Sequence, residues 1–222
     1  MSIFYMTEIE QIDLLKKWWK RHNNTVITVI SLILLLISGL RYWQWHHRKY
    51  IENASNAYEH LMVAFSNQDY DSVQSFANQL TSRYSNTVYA DTARLVQAKL
   101  SLSAGDYSKA KVALQEVADH SKFDVLADVS RLRLARILIY ETAYDSALQE
   151  LDRMKNSHYS SLQAELRGDI LLAQSKVPQA EQAYQSAKAE IEKSGVTNAF
   201  LEMKRHNLRA SLTPVQTAHT LS

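Results

Sequence analysis

The chain has 222 residues, with 25 Lys and Arg, 23 Asp and Glu, and no cysteine. The missing cysteines exclude disulfides, thiolate metal sites and a cysteine nucleophile. With only four glycines and two prolines, the composition predicts an all-α chain with short turns.

Charge is distributed unevenly along the sequence. The first 45 residues hold five Lys and Arg and three Asp and Glu, whereas residues 46–222 hold 20 of each kind. Nucleic-acid binding requires a clustered basic face, which a neutral body does not favour. We therefore expect no nucleic acid among the partners.

The first predicted element is a transmembrane helix over residues 25–45. Residues 25–40 carry no charge, and aromatic rings flank them on both sides: Trp18, Trp19, Tyr42, Trp43 and Trp45. A helix needs about 20 apolar residues to cross the hydrocarbon core of a bilayer. Interfacial rings and a snorkelling Arg41 extend the run toward that length and contact membrane lipid. Residues 1–24 form the tail that precedes it.

Two other interpretations compete with this anchor. A cleaved signal peptide needs small residues soon after its apolar run, but Arg41 and large aromatic residues follow here. A buried core helix would rarely carry Trp pairs and clustered basic residues at its ends. Four basic residues precede the run and three follow it, a weak bias that favours a cytoplasmic N-terminal tail.

Residues 46–212 are predicted to form a solenoid of helical hairpins. A turn motif recurs four times, and its last, small residue is Val73, Ala110, Ala147 or Ala180. The spacings of 37, 37 and 33 residues match the period of a tetratricopeptide-like repeat. Small residues also recur twelve positions before the three alanines, at Ala98, Ala135 and Gly168. These positions predict a close approach of paired helices.

Both ends of the solenoid have a predicted structure. Residues 50–65 continue as a helix from the membrane segment. A short helix over residues 197–208 is assigned a capping role, because the last hairpin of a solenoid would otherwise expose an apolar face. Residues 213–222 are polar and are predicted to form a flexible tail.

No catalytic, cofactor or metal motif stands out in the sequence. It contains no Gly-rich phosphate loop and no Gly-x-Ser-x-Gly. Neighbouring residues on a helix point about 100° apart, so His46 and His47 favour a polar interfacial collar over a metal site. Glu141 and Asp145 are interpreted as solvated surface rather than an acid–base pair. We expect a protein that is not an enzyme and needs no cofactor.

Five residues form the candidate partner-binding site. Lys99, Arg136 and Asp169 occupy one equivalent position of successive first helices in the repeat alignment. Leu95 and Leu132 lie one turn before the first two. First helices line the concave face of such arrays, so the charged residues are expected to face a bound chain and the leucines to supply apolar contact.

The basic residues Arg131, Arg133 and Arg136 have two interpretations. They are either ion-paired with neighbours such as Asp128 or Glu165, or they form a clamp for carboxylates on a partner, which Arg binds in bidentate fashion. The sequence leaves both open.

Several segments, in their order along the chain, resemble one known family. They are the charged tail over 8–21, Arg41-Tyr42-Trp43, Ala54-Ser55-x-Ala57-Tyr58, Leu132-Arg133-Leu134-Ala135-Arg136, Leu166-Arg167-Gly168-Asp169 and Met203-Lys204-x-x-Asn207-Leu208. Over nearly its whole length the chain is similar to the YfgM family of ancillary SecYEG translocon subunits.

This resemblance implies a location, a set of partners and a function. The location is the bacterial inner membrane, with one transmembrane helix, a cytoplasmic N-terminus and a periplasmic tetratricopeptide-like domain over 46–212. The implied partners are the SecYEG translocon, a PpiD-like periplasmic chaperone and newly translocated polypeptides. The expected function is a non-enzymatic, membrane-tethered protein-binding module. The alternative is a structural scaffold that assembles an inner-membrane complex without binding clients.

Overall fold

The computed structural model describes residues 8–155, 157–193 and 198–212. In these ranges the regular secondary structure is helical, and turns connect the helices. This confirms the all-α prediction. The helices are α1 (Glu8–Ser66), α2 (Tyr70–Arg83), α3 (Val88–Ser103), α4 (Tyr107–His120), α5 (Asp124–Tyr140), α6 (Tyr144–Asp152), α7 (Ser160–Ala173), α8 (Val177–Lys193) and α9 (Ala199–Leu212), with one 3-10 turn at Ser157–Tyr159.

The chain divides into two units, with the boundary between Asn53 and Ala54. Most of α1 belongs to the first unit, and α1 continues without a break to Ser66, as predicted. Among the residues that the structure describes, α1 is the one helix long and apolar enough to cross a membrane. The apolar side chains of its uncharged run are strongly exposed, Leu35 to 72 %, as expected for a surface that faces lipid.

The second unit stacks its helices in chain order. Each helix from α2 onward contacts the next one, and the first helices of successive hairpins also touch, α3 with α5 and α5 with α7. Four small apolar cores follow one another: the first joins α1, α2 and α3, the second α3, α4 and α5, the third α5, α6 and α7, and the fourth α8 and α9. Contacts restricted to near neighbours define a solenoid, so the predicted hairpin array is confirmed.

All four hairpin turns share one backbone geometry. A residue with positive φ ends the first helix in each: Gln68 (59°), Gly105 (76°), Thr142 (59°) and Ser175 (61°). The N–H of the next residue then donates to the carbonyl five positions earlier, at 2.8–3.0 Å, as in a Schellman motif. The turns therefore repeat with the predicted spacing.

Capping of the second helix differs among the turns. The Asp69 carboxylate accepts a hydrogen bond from the Ser72 N–H at 3.1 Å, and Asp106 accepts one from the Lys109 N–H at 2.9 Å. Ala143 holds the same position in the third turn and offers no side-chain cap. The α6 helix therefore begins without the side-chain acceptor that α2 and α4 have.

The repeated small residues lie where paired helices touch. Ala98 and Ala135 are buried, and a Cβ added to Gly168 would lie 2.5 Å from the ring of Tyr184. Helix approach through small residues is thus confirmed.

The predicted terminal helix is present as α9, which contacts α8. Leu201 and Leu208 bury their side chains in the fourth core. Thr197, the predicted first residue of this helix, and the predicted tail over 213–222 lie outside the described residues.

Candidate protein-binding site

A groove with a volume of about 1290 Å³ lies in the second unit. Tyr70, Gln74 and Asn78 form one wall, because a spacing of four residues places them on one face of α2. Lys109, Val112 and Glu116 form the other wall from one face of α4, and residues of α3 lie between the two walls. The groove depends on α3, which contacts both α2 and α4.

One end of the groove is apolar, and we call Phe65, Tyr70, Leu100 and Val112 the apolar end. Phe65 and Leu100 are half-buried against the first core, whereas Tyr70 is 55 % and Val112 72 % exposed. The Lys99 ammonium lies 4.9 Å from the centre of the Phe65 ring, a cation–π contact. This end offers open apolar surface beside a cation that already has an aromatic partner.

Three amide side chains form an amide cluster elsewhere in the groove: Gln74, Asn78 and Gln97. The Asn78 Oδ1 atom accepts hydrogen bonds from Gln74 Nε2 at 2.9 Å and from Gln97 Nε2 at 3.2 Å. An amide offers two donor hydrogens and two acceptor lone pairs. Within the described part of the chain, the Asn78 NH₂ and the two Gln carbonyl oxygens have no protein partner.

Charged groups on the groove walls are largely compensated by one another. Arg94 pairs with Asp91 at 3.1 Å and with Glu116 at 3.9 Å. Lys109 lies 3.8 Å from Asp106. The lining holds three cations, Arg94, Lys99 and Lys109, against two carboxylates, and Asp91, which pairs with Arg94 from outside the lining, makes the two signs equal in number.

Of the five predicted site residues, the groove lining includes Lys99. Arg136 is exposed on α5. Leu95 and Leu132 are buried, and they lie in different cores, the second and the third. The structure thus places the two leucines beneath the surface and does not join all five residues in one pocket.

The fifth predicted residue, Asp169, belongs to a partly buried polar network. Its carboxylate accepts a hydrogen bond from the Tyr184 hydroxyl at 2.7 Å and pairs with Lys204 at 2.7 Å. Lys204 also pairs with Glu165 at 2.7 Å. Burial, together with the Asp169 carboxylate, raises the pKa of the Tyr184 hydroxyl. Asp169 therefore links α7 to both α8 and α9.

The three arginines of α5 have different environments. Arg131 is buried, donates to Asp128 at 3.2 Å and lies 3.9 Å from Glu150. The ion-paired interpretation is confirmed for this residue. Arg133 and Arg136 are exposed, so they are the two that remain accessible to a carboxylate on another protein.

The amide cluster was not among the predicted site residues. A signal for part of it was present, because Gln74 and Asn78 lie four residues apart on one helix, a spacing that brings amides together. Among the described residues, no group of three His, Asp or Glu could hold a metal ion.

Comparison with known proteins places these features in a family. The family model of the tetratricopeptide repeat-like domain matches residues 16–210. A protein of Haemophilus influenzae named ancillary SecYEG translocon subunit is 29% identical over 205 residues, 92% of this chain and 99% of the relative. A protein of Escherichia coli with the same name is 29% identical over 199 residues, 90% of this chain and 94% of the relative. No solved structure matches the chain.

The relatives confirm the resemblance inferred from the sequence, because they carry the name of that family. The family match extends from before the apolar run to the last described helix. Four repeated turns and neighbour-only helix contacts independently define the same architecture. The chain therefore belongs to the tetratricopeptide repeat-like domain family.

Proposed function

We propose that this chain is an ancillary subunit of a SecYEG translocon, and that it acts as a membrane-tethered, non-enzymatic protein-binding module. The groove between α2 and α4 carries this proposal, because it combines open apolar surface with unused amide groups on a helical-repeat scaffold. The relatives' shared name, ancillary SecYEG translocon subunit, supports the choice of translocon.

The proposed topology is that of a single-pass inner-membrane protein. Residues 25–45 cross the membrane and contact lipid, residues 1–24 lie in the cytoplasm, and residues 46–212 form a periplasmic domain. Exposed apolar side chains on α1 support the crossing. The slight excess of basic residues before the apolar run supports the orientation.

The proposed partners are a PpiD-like periplasmic chaperone and newly translocated polypeptides. Tethering a binding site at the membrane raises its effective concentration where polypeptides emerge, so even weak sites become occupied. Such binding requires neither turnover nor a cofactor.

Partner contacts are assigned to the side chains of the predicted set that reach the surface at least in part. Lys99 contributes from the groove and Arg136 from α5, while Asp169 contributes the part of its carboxylate that is not covered. Leu95 and Leu132 are buried, so they do not contact the partner. Their packing in the core holds α3 and α5 in position.

In-cell photocrosslinking tests this function. A photoreactive residue replaces Lys99, Val112 or Arg136 in the full chain, and Lys193, which is exposed and pairs with Glu190, is the control position. Crosslinks to many exported proteins from the first positions, and few from 193, are the expected result. One discrete partner would favour the structural scaffold, and no crosslinks above the control would contradict protein binding by this surface.

A further inference from the structure

We propose that the groove binds an extended, uncharged segment of polypeptide through its backbone. The amide cluster hydrogen-bonds to peptide groups, and the apolar end receives an aliphatic or aromatic side chain. This inference rests on the proposed function and specifies the ligand chemistry of the same groove. The ligand is defined by its unpaired backbone rather than by its sequence.

The hydrogen-bonding atoms that remain available in the amide cluster match those of a peptide group. Because Asn78 Oδ1 accepts from both glutamines, the cluster retains the NH₂ group of Asn78 as a donor and the carbonyl oxygens of Gln74 and Gln97 as acceptors. A peptide group offers one N–H and one C=O, which match these atoms. A phosphate or carboxylate offers acceptors only, so it would leave both carbonyl oxygens without a donor.

The cations of the groove already have partners within it. Arg94 and Lys109 each lie within 4 Å of a carboxylate of the groove wall, and Lys99 lies over Phe65. A cationic segment would lose hydration on entering the groove and meet carboxylates that are already paired, and an anionic segment would have to draw Lys99 away from the Phe65 ring. An uncharged segment avoids this cost.

The groove is large enough and long enough for a segment of extended polypeptide. The volume of about 1290 Å³ exceeds the roughly 300–1,000 Å³ of ordinary small-molecule pockets. Tyr70 and Asn78 are eight helix positions apart, which corresponds to about 12 Å along α2. About four residues of an extended chain span that distance, so one segment reaches from the apolar end to the amide cluster.

Backbone recognition has a consequence for selectivity. In a folded protein the peptide groups are already paired within helices and sheets, so they are not free to meet the amide cluster. An unfolded chain presents such groups throughout its length. The groove would therefore discriminate by folding state, with a preference for an apolar side chain at one position.

Backbone N-methylation gives the direct test. The full chain in detergent micelles is titrated against a short fluorescein-labelled peptide of Ser and Thr with a central Leu-Phe pair, and binding is followed by fluorescence anisotropy. A second peptide has the same side chains but N-methyl groups on the amides three to five residues to either side of the Leu-Phe pair, because the amide cluster lies about four extended residues from the apolar end. We expect it to bind about tenfold more weakly, the equivalent of one or two lost hydrogen bonds. Equal affinities would overturn the proposal.

Variants of the protein localise the effect. Gln74→Met and Gln97→Met keep the side-chain length but remove the amide, and Gln182→Met on α8 is the matched control, exposed and outside the groove. We expect the first two to bind the unmethylated peptide about three- to tenfold more weakly, with a smaller penalty for N-methylation than in the wild type. Equal weakening by Gln182→Met, at unchanged thermal unfolding, would contradict the assignment.

A peptide with Asp or Lys in place of the Ser and Thr residues next to the Leu-Phe pair tests the charge argument. Tighter binding of either charged peptide would overturn the uncharged ligand class.

The two proposals fail in distinguishable ways. Crosslinks at Lys99 and Val112 together with no N-methylation effect would overturn backbone recognition alone, whereas missing crosslinks would overturn the protein-binding function.

Discussion

The ring of Tyr184 packs against the α-carbon of Gly168, so that a Cβ at position 168 would lie 2.5 Å from ring atoms Cδ1 and Cε1. Tyr184 is only 1% exposed, and its hydroxyl donates to Asp169, the residue next to the glycine. The ring is therefore held at both ends, by packing and by a hydrogen bond. The contact between α7 and α8 depends on the absence of a side chain at 168.

Gly168→Ala is expected to destabilise the second unit by about 1–3 kcal/mol, the usual cost of overpacking a filled interior. Urea unfolding followed by circular dichroism measures it. The same change in a Tyr184→Leu background tests the cause, because the smaller side chain leaves room for the methyl group. An equal cost in both backgrounds would place the strain elsewhere.

The positive-φ turns give opposite predictions for two residues. Gly105→Ala is expected to cost about 1 kcal/mol, since the added methyl meets no neighbour within 4 Å and only the backbone conformation is penalised. Thr142→Gly is expected to stabilise the chain by up to about 1 kcal/mol, because a β-branched residue at positive φ is strained. Thr92→Gly, inside α3, is the control and should destabilise. A loss of stability in Thr142→Gly would contradict the strain argument.

Ala143→Asp is expected to stabilise α6 by about 1 kcal/mol, because the first two turns carry Asp at this N-cap position. Its carboxylate would accept from the Ser146 N–H, as Asp69 accepts from Ser72. Hydrogen bonds from Ser72 lower the pKa of Asp69. A group with a lowered folded pKa contributes stability above its unfolded pKa of about 4 and loses it as the pH falls through the folded value.

The gain from Ala143→Asp should accordingly be present at neutral pH and disappear in acid. Thermal unfolding of the variant and the wild type at both pH values measures this dependence. Ala143→Asn, which caps without a charge, should keep its gain in acid. A gain from Asp that is independent of pH would contradict capping by the ionised carboxylate.

Lys204→Met is expected to loosen α9 by about 2 kcal/mol or more, because it leaves Glu165 and Asp169 without their shared cation in a largely buried site. Lys188→Met is the matched control: Lys188 also reaches α9, through Glu202 at 3.2 Å, but this pair is more exposed than those of Lys204, and an ion pair open to water contributes at most about 1 kcal/mol. Hydrogen exchange in α9 distinguishes the two. Equal exchange in both variants would show that Lys204 does not anchor the helix.

Arg136→Glu is expected to weaken partner capture in a pull-down more than Lys193→Glu does. Both residues are exposed and both substitutions reverse a charge, but only Arg136 belongs to the proposed contact surface. Equal effects of the two substitutions would remove Arg136 from that surface.

Local periodicity predicted much of the fold. The turn motif and the small residues at Ala98, Ala135 and Gly168 depend on contacts between consecutive helices, and such contacts repeat with the sequence. The continuation of α1 and the terminal helix followed from apolar spacing in the same way. In each case the deciding interactions lie within one hairpin or between neighbours.

The groove was harder to predict because its walls come from non-consecutive helices. Which face of α2 lies opposite α4 depends on how α3 packs between them, and no local pattern encodes that angle. The alignment found equivalent positions such as Lys99 and Arg136, but it did not distinguish surface from interior one turn earlier, where Leu95 and Leu132 are buried. A leucine at helical spacing is compatible with either location.

The division of the interior into four small cores has a consequence for how the second unit unfolds when packing is lost at one place. Among the described residues of the second unit, each buried apolar cluster joins only neighbouring helices, so loss of packing at one hairpin weakens its neighbours and leaves remote hairpins intact. The pair α8–α9 can open while the first core stays closed. Local unfolding at the C-terminal end would therefore leave the hairpins nearest the groove folded. The second unit would unfold in steps rather than in one cooperative transition.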